Sequence, residues 1–209
     1  MTRLILWRHG HTEWNAQLRV QGHSDVPLSE LGRAQAVEAA PLLAALAPDA
    51  VISSDLRRCT ETAEALARRT GLAVRQDQRL REREYGQWEG LTMAEITQRW
   101  PDSYARKLAG ADGADLGHGI EQPADVMKRV GEALRQAAEA NPGGTTVVVS
   151  HGGAIRYGTF ELIGWPADLL RTVQALVNCH YSELRLDPDR GWLLHAHNVG
   201  VAAGPPGYE

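Results

Sequence analysis

The chain has the length and composition of an ordinary soluble globular domain. Its 209 residues are 43% apolar and 23% charged, and a domain of this size buries about 70% of its unfolded surface without a disulfide or metal to hold it together. Lys and Arg number 22 against 26 Asp and Glu, a net charge of −4, which argues against a non-specific nucleic-acid binder. Twenty of the 22 basic residues are arginines, which reflects either a compositional bias or the planar grip of arginine on phosphate.

Cysteine usage and hydropathy predict a cytoplasmic protein. Cys59 and Cys179 lie far apart and form no disulfide framework, which fits a reducing compartment. The longest apolar run, 39–47, has nine residues, too few to cross a bilayer. The four apolar residues between Arg3 and Arg8 do not make a signal peptide. We therefore expect neither a membrane nor a nucleic acid as a partner.

The first half of the chain alternates short apolar runs with helical patterns. Residues 4–7 form a continuous apolar run typical of a buried strand, and a polar loop follows to residue 27. Ser29 is placed to cap a helix toward residue 47, in which Pro41 predicts a kink or a second short helix. A second strand is predicted over 50–53, a helix capped by Asp55 over 56–69, a third strand over 72–74 and a loop over 77–90.

The second half continues this alternation after an irregular stretch. Thr92 caps a short helix that ends before Pro101, and residues 101–122 lack any period. Pro123 opens a helix to residue 140. A strand is predicted over 145–149, a helix from 154 to 163, and strands over 175–177, 181–186 and 192–197, the last two joined by a turn.

These elements predict an α/β fold, a three-layer α/β/α sandwich around a mostly parallel sheet. We expect a single domain over 1–198, with a small irregular and helical lobe at about 92–140 over the active site. The remaining residues, 199–209, are rich in Gly and Pro and are predicted to form a loose tail.

Charged and polar side chains follow three of the predicted strands where each strand ends. Such strand ends share one edge of a parallel sheet, where ligands collect. An imidazole is a competent nucleophile for phosphoryl transfer, and arginines cover phosphoryl oxygens. The helix N-termini after Asp55 and His151 are expected to add N–H donors. The strand-end segments are Arg8-His9-Gly10-His11, Ser53-Ser54-Asp55-Leu56-Arg57-Arg58 and Ser150-His151-Gly152-Gly153.

Four ordered motifs between positions 8 and 153 carry a family resemblance. They are Arg8-His9-Gly10-x-Thr12-x-x-Asn15, Ser53-Ser54-Asp55-Leu56-x-Arg58-x-x-x-Thr62-Ala63, Leu80-Arg81-Glu82-x-x-x-Gly86-x-Trp88-Glu89-Gly90-Leu91-Thr92 and Ser150-His151-Gly152-Gly153. With them the sequence resembles the histidine phosphatase (phosphoglycerate mutase-like) superfamily. Arg-His-Gly alone would be a weak signal, but four motifs in family order are specific.

The resemblance implies a role for each site residue. His9 would accept the phosphoryl group as a phosphohistidine, and Glu82 would act as general acid and then general base. A charged His151 would bind the phosphoryl oxygens together with Arg8 and Arg57. Arg57 and Arg58 are adjacent, so only one of them should face the phosphate, and the spacing from Asp55 is taken to favour Arg57. The further binding residues implied are Asn15, Gln21, Gly22 and Gly152.

The resemblance leaves three activities to compare. A phosphomonoesterase is preferred, because a short lobe and a loose tail suit poorly the water exclusion that a mutase needs. The alternatives are a cofactor-dependent phosphoglycerate mutase and a catalytically silent binding module. The expected partner is a small phosphorylated metabolite, a phosphosugar or a phosphoglycerate-like compound, and a homodimer is left open. No metal and no other cofactor is implied, because arginines and histidines supply the positive charge.

Fewer sequence features bear on the identity of the substrate. The stretches 21–33 and 79–82 look similar to broad-specificity phosphatases and to actinobacterial glucosyl-3-phosphoglycerate phosphatases. The lobe departs from the usual family pattern at His118-Gly119-Ile120-Glu121-Gln122. Lobe side chains that are candidates for substrate contact, each with packing as the simpler reading, are Trp100, Tyr104, Arg106 and His118.

Overall fold

The computed structural model describes residues 1–200 and shows one central sheet. Within that range the sheet has six strands in the order β3-β2-β4-β1-β5-β6. The strands are β1 Arg3–Arg8, β2 Ala50–Ser53, β3 Val74–Gln76, β4 Thr145–Ser150, β5 Tyr181–Asp187 and β6 Gly191–Val199. The first four pair in parallel, and β5 and β6 are antiparallel additions beside β1. The predicted mostly parallel α/β sheet is confirmed.

Helices join the parallel strands. They are α1 Glu13–Ala16, α2 Glu30–Ala45, α3 Arg57–Thr70, α4 Met93–Arg99, α5 Pro101–Leu108, α6 Pro123–Glu139 and α7 Gly152–Ile163. Ser29 caps α2 as predicted, through a bond from the Gly32 N–H. Pro41 lies inside α2 without ending it, because Pro41 and Val37 face solvent, where water can satisfy the carbonyl that loses its partner.

Alternation along β1 sends side chains to both faces of the sheet. Leu4 and Leu6 pack in an apolar cluster with the buried faces of α6 and α7. Ile5 and Trp7 pack on the opposite face with α2 and α3. Helices thus cover both faces, which confirms the predicted three-layer sandwich.

The lobe has a small apolar centre of its own, and it is shorter than predicted. Trp88, Ile96, Leu116 and Ile120 are buried together there, and the stretch expected to be irregular includes the helix α5. The predicted boundary at residue 140 is wrong, because α6 packs on the sheet and on α7. We use "lobe" below for residues 85–122.

Two other sequence expectations change. Residues 175–177 are not a strand. The Leu176 carbonyl accepts a hydrogen bond from the Arg8 guanidinium, and none of the described strands pairs with these three residues. Val199 ends β6 rather than opening a tail; the tail prediction otherwise falls on 201–209, outside the described residues. The division into one domain and a tail stays a prediction.

Candidate active site

The ends of β1 and β4 place two histidines side by side. Arg8 pairs with Ser150 at the last register position of the two parallel strands, so His9 and His151 leave the sheet together. Their ring centroids are 5.2 Å apart, and the rings are inclined by 62°. His9 is 3% exposed and His151 is fully buried.

The surroundings of His9 prepare it as a nucleophile. Its Nδ1 lies 2.7 Å from the Gly10 carbonyl oxygen, a geometry that assigns the proton to Nδ1 and leaves the lone pair on Nε2. Burial, followed by the positive charges of Arg58 and Arg8, lowers the pKa of His9 well below its usual value. The ring is therefore neutral near pH 7.

A close backbone approach explains the glycine that follows His9. A Cβ added to Gly10 would lie 2.5 Å from the Gly32 carbonyl oxygen, and one added to Gly32 would lie 2.0 Å from the His11 carbonyl oxygen. The first turn of α2 therefore packs directly on the loop after β1. The Gly10 N–H donates to Thr62 Oγ1 at 3.0 Å, which ties the same loop to α3.

His151 sits between an arginine and a serine. Arg58 Nε donates to His151 Nδ1 at 3.1 Å, and His151 Nε2 lies 3.0 Å from Ser54 Oγ. Burial lowers the pKa of His151 well below its usual value, and the charge of Arg58 adds to this effect. These surroundings favour a neutral ring, contrary to the prediction of a charged one.

Of the two adjacent arginines, Arg58 and not Arg57 enters the site. The Arg57 side chain is 59% exposed and its guanidinium pairs with Glu61 at 3.7 Å. Arg58 is fully buried, because residues next to each other on α3 point about 100° apart and its direction is the one that faces His151. The assignment of Arg57 is wrong, and Arg58, which matches the quoted motif, takes its place.

Arg58 also organises the loop before α2. Its Nη1 donates to the Ser24 carbonyl and its Nη2 to the Gly22 carbonyl, each at 2.8 Å. With the bond to His151, three of the five N–H groups of the guanidinium are used. No acceptor in the described part of the chain meets the other two, which remain donors for a ligand.

Arg8 reaches the same space from the end of β1. It is 5% exposed, and its Nη1 donates to the Leu176 carbonyl. The start of α7 passes close by, since a Cβ on Gly152 would lie 3.4 Å from Arg8 Cζ. A Cβ at position 152 would thus be in ordinary van der Waals contact with this guanidinium.

Glu82 is held on the N-terminus of α7. Its carboxylate accepts the N–H groups of Gly153 and Ala154, each at 2.9 Å, and that of Arg83 at 2.8 Å. A Cβ on Gly153 would lie 2.6 Å from Glu82 Oε1, so only glycine permits this contact. The expectation that this helix N-terminus donates to phosphate is wrong for these two N–H groups, because Glu82 takes them.

The N-terminus of α3 is likewise occupied. Arg57 N–H donates to Asp25 Oδ1 at 2.7 Å. Asp55 does not cap this helix as predicted; its carboxylate binds Arg81, with the Nε–Oδ1 distance 2.8 Å. That hydrogen bond is the main reason that the pKa of Asp55 is lowered.

The remaining predicted contacts lie around this centre. Asn15 Oδ1 accepts the N–H and the hydroxyl of Thr12 in a capping box. Gln21 Oε1 is buried without a hydrogen bond to any described residue, and the Gly22 carbonyl binds Arg58. Their role in phosphate binding stays a prediction.

Sequence reasoning missed Asn178. Its Nδ2 donates to the His9 carbonyl at 3.0 Å, and the N–H of Cys179 lies 3.2 Å from the Arg8 carbonyl oxygen. Cys179 adopts a positive φ of 59°, which turns the chain back across the end of β1. No local pattern signals this contact, because it joins residues 169 positions apart.

The structure also bears on metals and membranes. Within residues 1–200 no three His, Cys, Asp or Glu side chains come together as metal ligands would. The same residues include no helix with the length and apolar character needed to span a bilayer.

This arrangement at the carboxyl edge of the sheet suits phosphoryl transfer, because a neutral imidazole can attack phosphorus while buried arginines hold the phosphoryl oxygens. The family model described as the histidine phosphatase superfamily (branch 1) matches residues 4–199. The chain belongs to the histidine phosphatase superfamily.

The chain is similar to several named members of this superfamily. Glucosyl-3-phosphoglycerate phosphatase of Mycolicibacterium vanbaalenii is 40% identical over 217 aligned residues, 95% of each chain. A probable phosphoglycerate mutase of Cronobacter sakazakii is 35% identical over 204 residues, 97% of this chain and 93% of its own. A mycobacterial glucosyl-3-phosphoglycerate phosphatase solved with VO3 superposes with a TM-score of 0.87 at 36% identity, covering 96% of this chain and all of that one.

Proposed function

We propose that this protein hydrolyses a phosphomonoester through a phosphohistidine on His9. The observation that carries the proposal is the neutral imidazole of His9 beside His151, with Arg8 and Arg58 buried next to them. A buried neutral imidazole offers a lone pair, and fixed guanidinium groups stabilise charge on the equatorial phosphoryl oxygens. A mycobacterial relative of similar fold was solved as a complex with VO3, and an oxyanion is the kind of ligand that such a set of guanidinium groups would bind.

The reaction has two steps. In the first, His9 Nε2 forms a bond to phosphorus as the ester P–O bond breaks, and Glu82 gives a proton to the leaving alcohol oxygen. In the second, Glu82 takes a proton from a water molecule, whose oxygen bonds to phosphorus as the P–N bond breaks. Inorganic phosphate leaves, and His9 and the protonated Glu82 return to their starting states.

The phosphoryl group itself changes the state of His151. Arg58 and Arg8 disfavour a proton on this ring, and the negative phosphoryl oxygens offset their charge. We expect the substrate to draw Arg58 Nε away from His151 Nδ1, so that this nitrogen can bind a proton and the ring can donate a hydrogen bond to a phosphoryl oxygen. The charged His151 is thus proposed only for the complex with substrate.

The substrate is a small phosphorylated metabolite. Relatives named for glucosyl-3-phosphoglycerate support a phosphosugar or phosphoglycerate-like compound, and glucosyl-3-phosphoglycerate is the first to test. The mutase remains the second candidate, because one relative is named as a probable phosphoglycerate mutase.

All the proposed reactive groups are present, which argues against a silent binding module. We propose a cytoplasmic enzyme, and the homodimer stays open.

Phosphate release from a panel of phosphomonoesters tests this function. The panel includes glucosyl-3-phosphoglycerate, 3-phosphoglycerate and p-nitrophenyl phosphate, with the His9→Ala variant as the background. Release above that background is expected; its absence for every ester contradicts the proposal. Conversion of 3-phosphoglycerate to 2-phosphoglycerate with a bisphosphoglycerate primer would favour the mutase instead.

A chelator tests the absence of a metal from the proposed chemistry. Guanidinium and imidazolium groups supply the charge that a metal would otherwise provide. We expect the rate of phosphate release to be unchanged in excess chelator. A rate that collapses with chelator and returns with a divalent cation would contradict this expectation.

A further inference from the structure

One arginine outside the four motifs binds the backbone that carries Glu82. Arg129, on α6, donates from Nη1 to the carbonyls of Arg79 and Arg81 at 2.8 and 2.7 Å. Its Nη2 donates to the Glu82 carbonyl at 2.9 Å. Three hydrogen bonds from one side chain thus hold a short segment, residues 79–82, against α6.

Glu121, in the lobe, completes the coordination of this guanidinium. Arg129 Nε lies 2.7 Å from Glu121 Oε1, and Nη2 lies 2.8 Å from Oε2. All five N–H groups of Arg129 therefore have acceptors, an arrangement that a lysine with three donors cannot reproduce. The side chains of the pair are only 20% and 16% exposed, so the contact is better shielded than a surface ion pair.

Glu121 also binds the backbone of Glu84, two residues after this segment. Its N–H donates to the Glu84 carbonyl at 2.9 Å, and its Oε2 accepts the Glu84 N–H at 3.1 Å. Burial raises the pKa of Glu121, but the hydrogen bonds from Arg129 and the Glu84 N–H outweigh it and hold this pKa below its usual value. A charged Glu121 therefore joins Arg129 to the residues just after Glu82.

Both ends of Glu82 are held, the carboxylate that takes part in the reaction and the backbone that does not. The carboxylate is held by the N–H groups of Gly153 and Ala154 on α7. The backbone is held by Arg129 and by His23, whose Nε2 lies 2.8 Å from the Glu82 carbonyl oxygen. A general acid must lie within hydrogen-bond reach of the leaving oxygen, so an error in the backbone position is carried directly to the carboxylate.

We propose that Arg129, paired with Glu121, is a positioning residue that sets the Glu82 carboxylate for proton transfer to the leaving group. The inference rests on the proposed phosphatase function. It also gives the lobe a part in the chemistry, because Glu121 lies in the lobe and Arg129 on the sheet-covering helix.

Comparing two leaving groups distinguishes a loss of Glu82 positioning from a general loss of activity. An alkoxide is a poor leaving group and needs the proton of Glu82, whereas p-nitrophenolate leaves without one. The value of kcat/KM reports the steps up to phosphohistidine formation, so it isolates the departure of the leaving group. We expect Arg129→Lys to lower kcat/KM about 10–100-fold for the alkyl ester that the enzyme hydrolyses fastest. For p-nitrophenyl phosphate the loss should be less than about threefold.

Two further variants keep the test sharp. Glu121→Gln keeps the side-chain size but removes the charge, and it should show the same selective loss at smaller size. Glu82→Gln combined with Arg129→Lys should be no worse than Glu82→Gln alone with the alkyl ester, because the two changes remove one contribution. Thermal unfolding of each variant shows whether it is folded at the assay temperature.

Arg135 provides the matched control. It lies on the same helix and pairs with Glu161 at 2.7 Å, and within the described part of the chain it makes no hydrogen bond or ion pair with residues 79–82. Arg135→Lys should leave both esters unaffected. Equal losses for the two esters in Arg129→Lys and Glu121→Gln would overturn the positioning role while leaving the phosphatase function intact. A wild-type protein that releases no phosphate above the His9→Ala background would remove the function itself, and the inference with it.

Discussion

The phosphoryl-binding centre and the lobe are built on different supports. His9 and His151 follow two adjacent strands directly, and their neighbours are main-chain groups and fully buried side chains. The lobe rests on short helices, a small apolar cluster and ion pairs that cross to the rest of the chain, such as Arg83 with Asp112 at 2.7 Å. Strand ends thus place the reacting groups rigidly, whereas side-chain contacts decide where the lobe sits.

This structural difference suggests that the centre and the lobe have different functions. A rigid site preorganises charge for the transition state, and its residue types follow from the reaction. A covering segment on short elements tolerates sequence change, and the lobe is where the chain departs from the usual family pattern. The reaction class should therefore depend on the centre, and the choice of substrate on the lobe.

The largest effect should come from the nucleophile. His9→Ala is expected to lower the rate of phosphate release at least about 10⁴-fold, because it removes the atom proposed to bond to phosphorus. A radiolabelled ester, quenched in alkaline denaturant that preserves phosphohistidine, should label the wild-type protein but not the variant. Labelling of the variant at an unchanged level would assign the nucleophile to another residue.

The two adjacent arginines give the next effect. Arg58→Ala should lower kcat/KM about 10²–10³-fold, because it removes a buried charge and a partner of His151. Arg57→Ala should change it less than about threefold, since this side chain is exposed and its ion pair is weak. The pair is its own control, and the reverse order of the two losses would contradict the placement of Arg58.

Buried histidines should make stability depend on pH. The pKa values of His9 and His151 are lowered in the folded chain, so the unfolded chain binds protons first as the pH falls. Their contribution to stability is present above about pH 6.5 and is lost as the pH falls below it, by up to about 1.4 kcal/mol per pH unit for each ring.

Thermal unfolding at pH 7.5 and 5.5 measures this loss. The melting temperature should fall toward the lower pH, and the fall should be smaller in His9→Asn, which removes one of the two buried rings. His195→Asn, which removes an exposed histidine from β6, is the matched control. A fall that is the same in His9→Asn and in the wild-type protein would contradict the origin assigned to it.

The smallest effect should come from a packing contact in the lobe. The ring centroids of His118 and Trp100 are 4.5 Å apart, and His118 Nε2 lies 2.9 Å from Ser103 Oγ. His118→Ala should lower the free energy of unfolding by about 1 kcal/mol and change p-nitrophenyl phosphate hydrolysis by less than about threefold. A much larger loss of activity with that small ester would show that the centre depends on this part of the lobe.

Much of the architecture could be predicted because local patterns determine it. Continuous apolar runs identify buried strands such as β1 and β4, and the caps Ser29 and Thr92 identify helix starts. Parallel strands then bring their carboxyl ends to one edge, which predicts from the sequence that His9 and His151 lie together. The strand predicted over 175–177 is absent from the sheet, because three apolar residues in a row do not specify a neighbouring strand to pair with.

The sequence by itself determined the reaction class, since the order of the four motifs and the strand-end positions carry the reacting groups. Only the tertiary structure decided which arginine enters the site, because the direction of Arg58 depends on how α3 is rotated against the sheet. It also decided that Glu82 takes the N–H groups of α7, that Arg129 binds the Glu82 carbonyl and that Glu121 binds the Glu84 N–H. These contacts join residues 37–72 positions apart, and no local pattern specifies a distance across the fold.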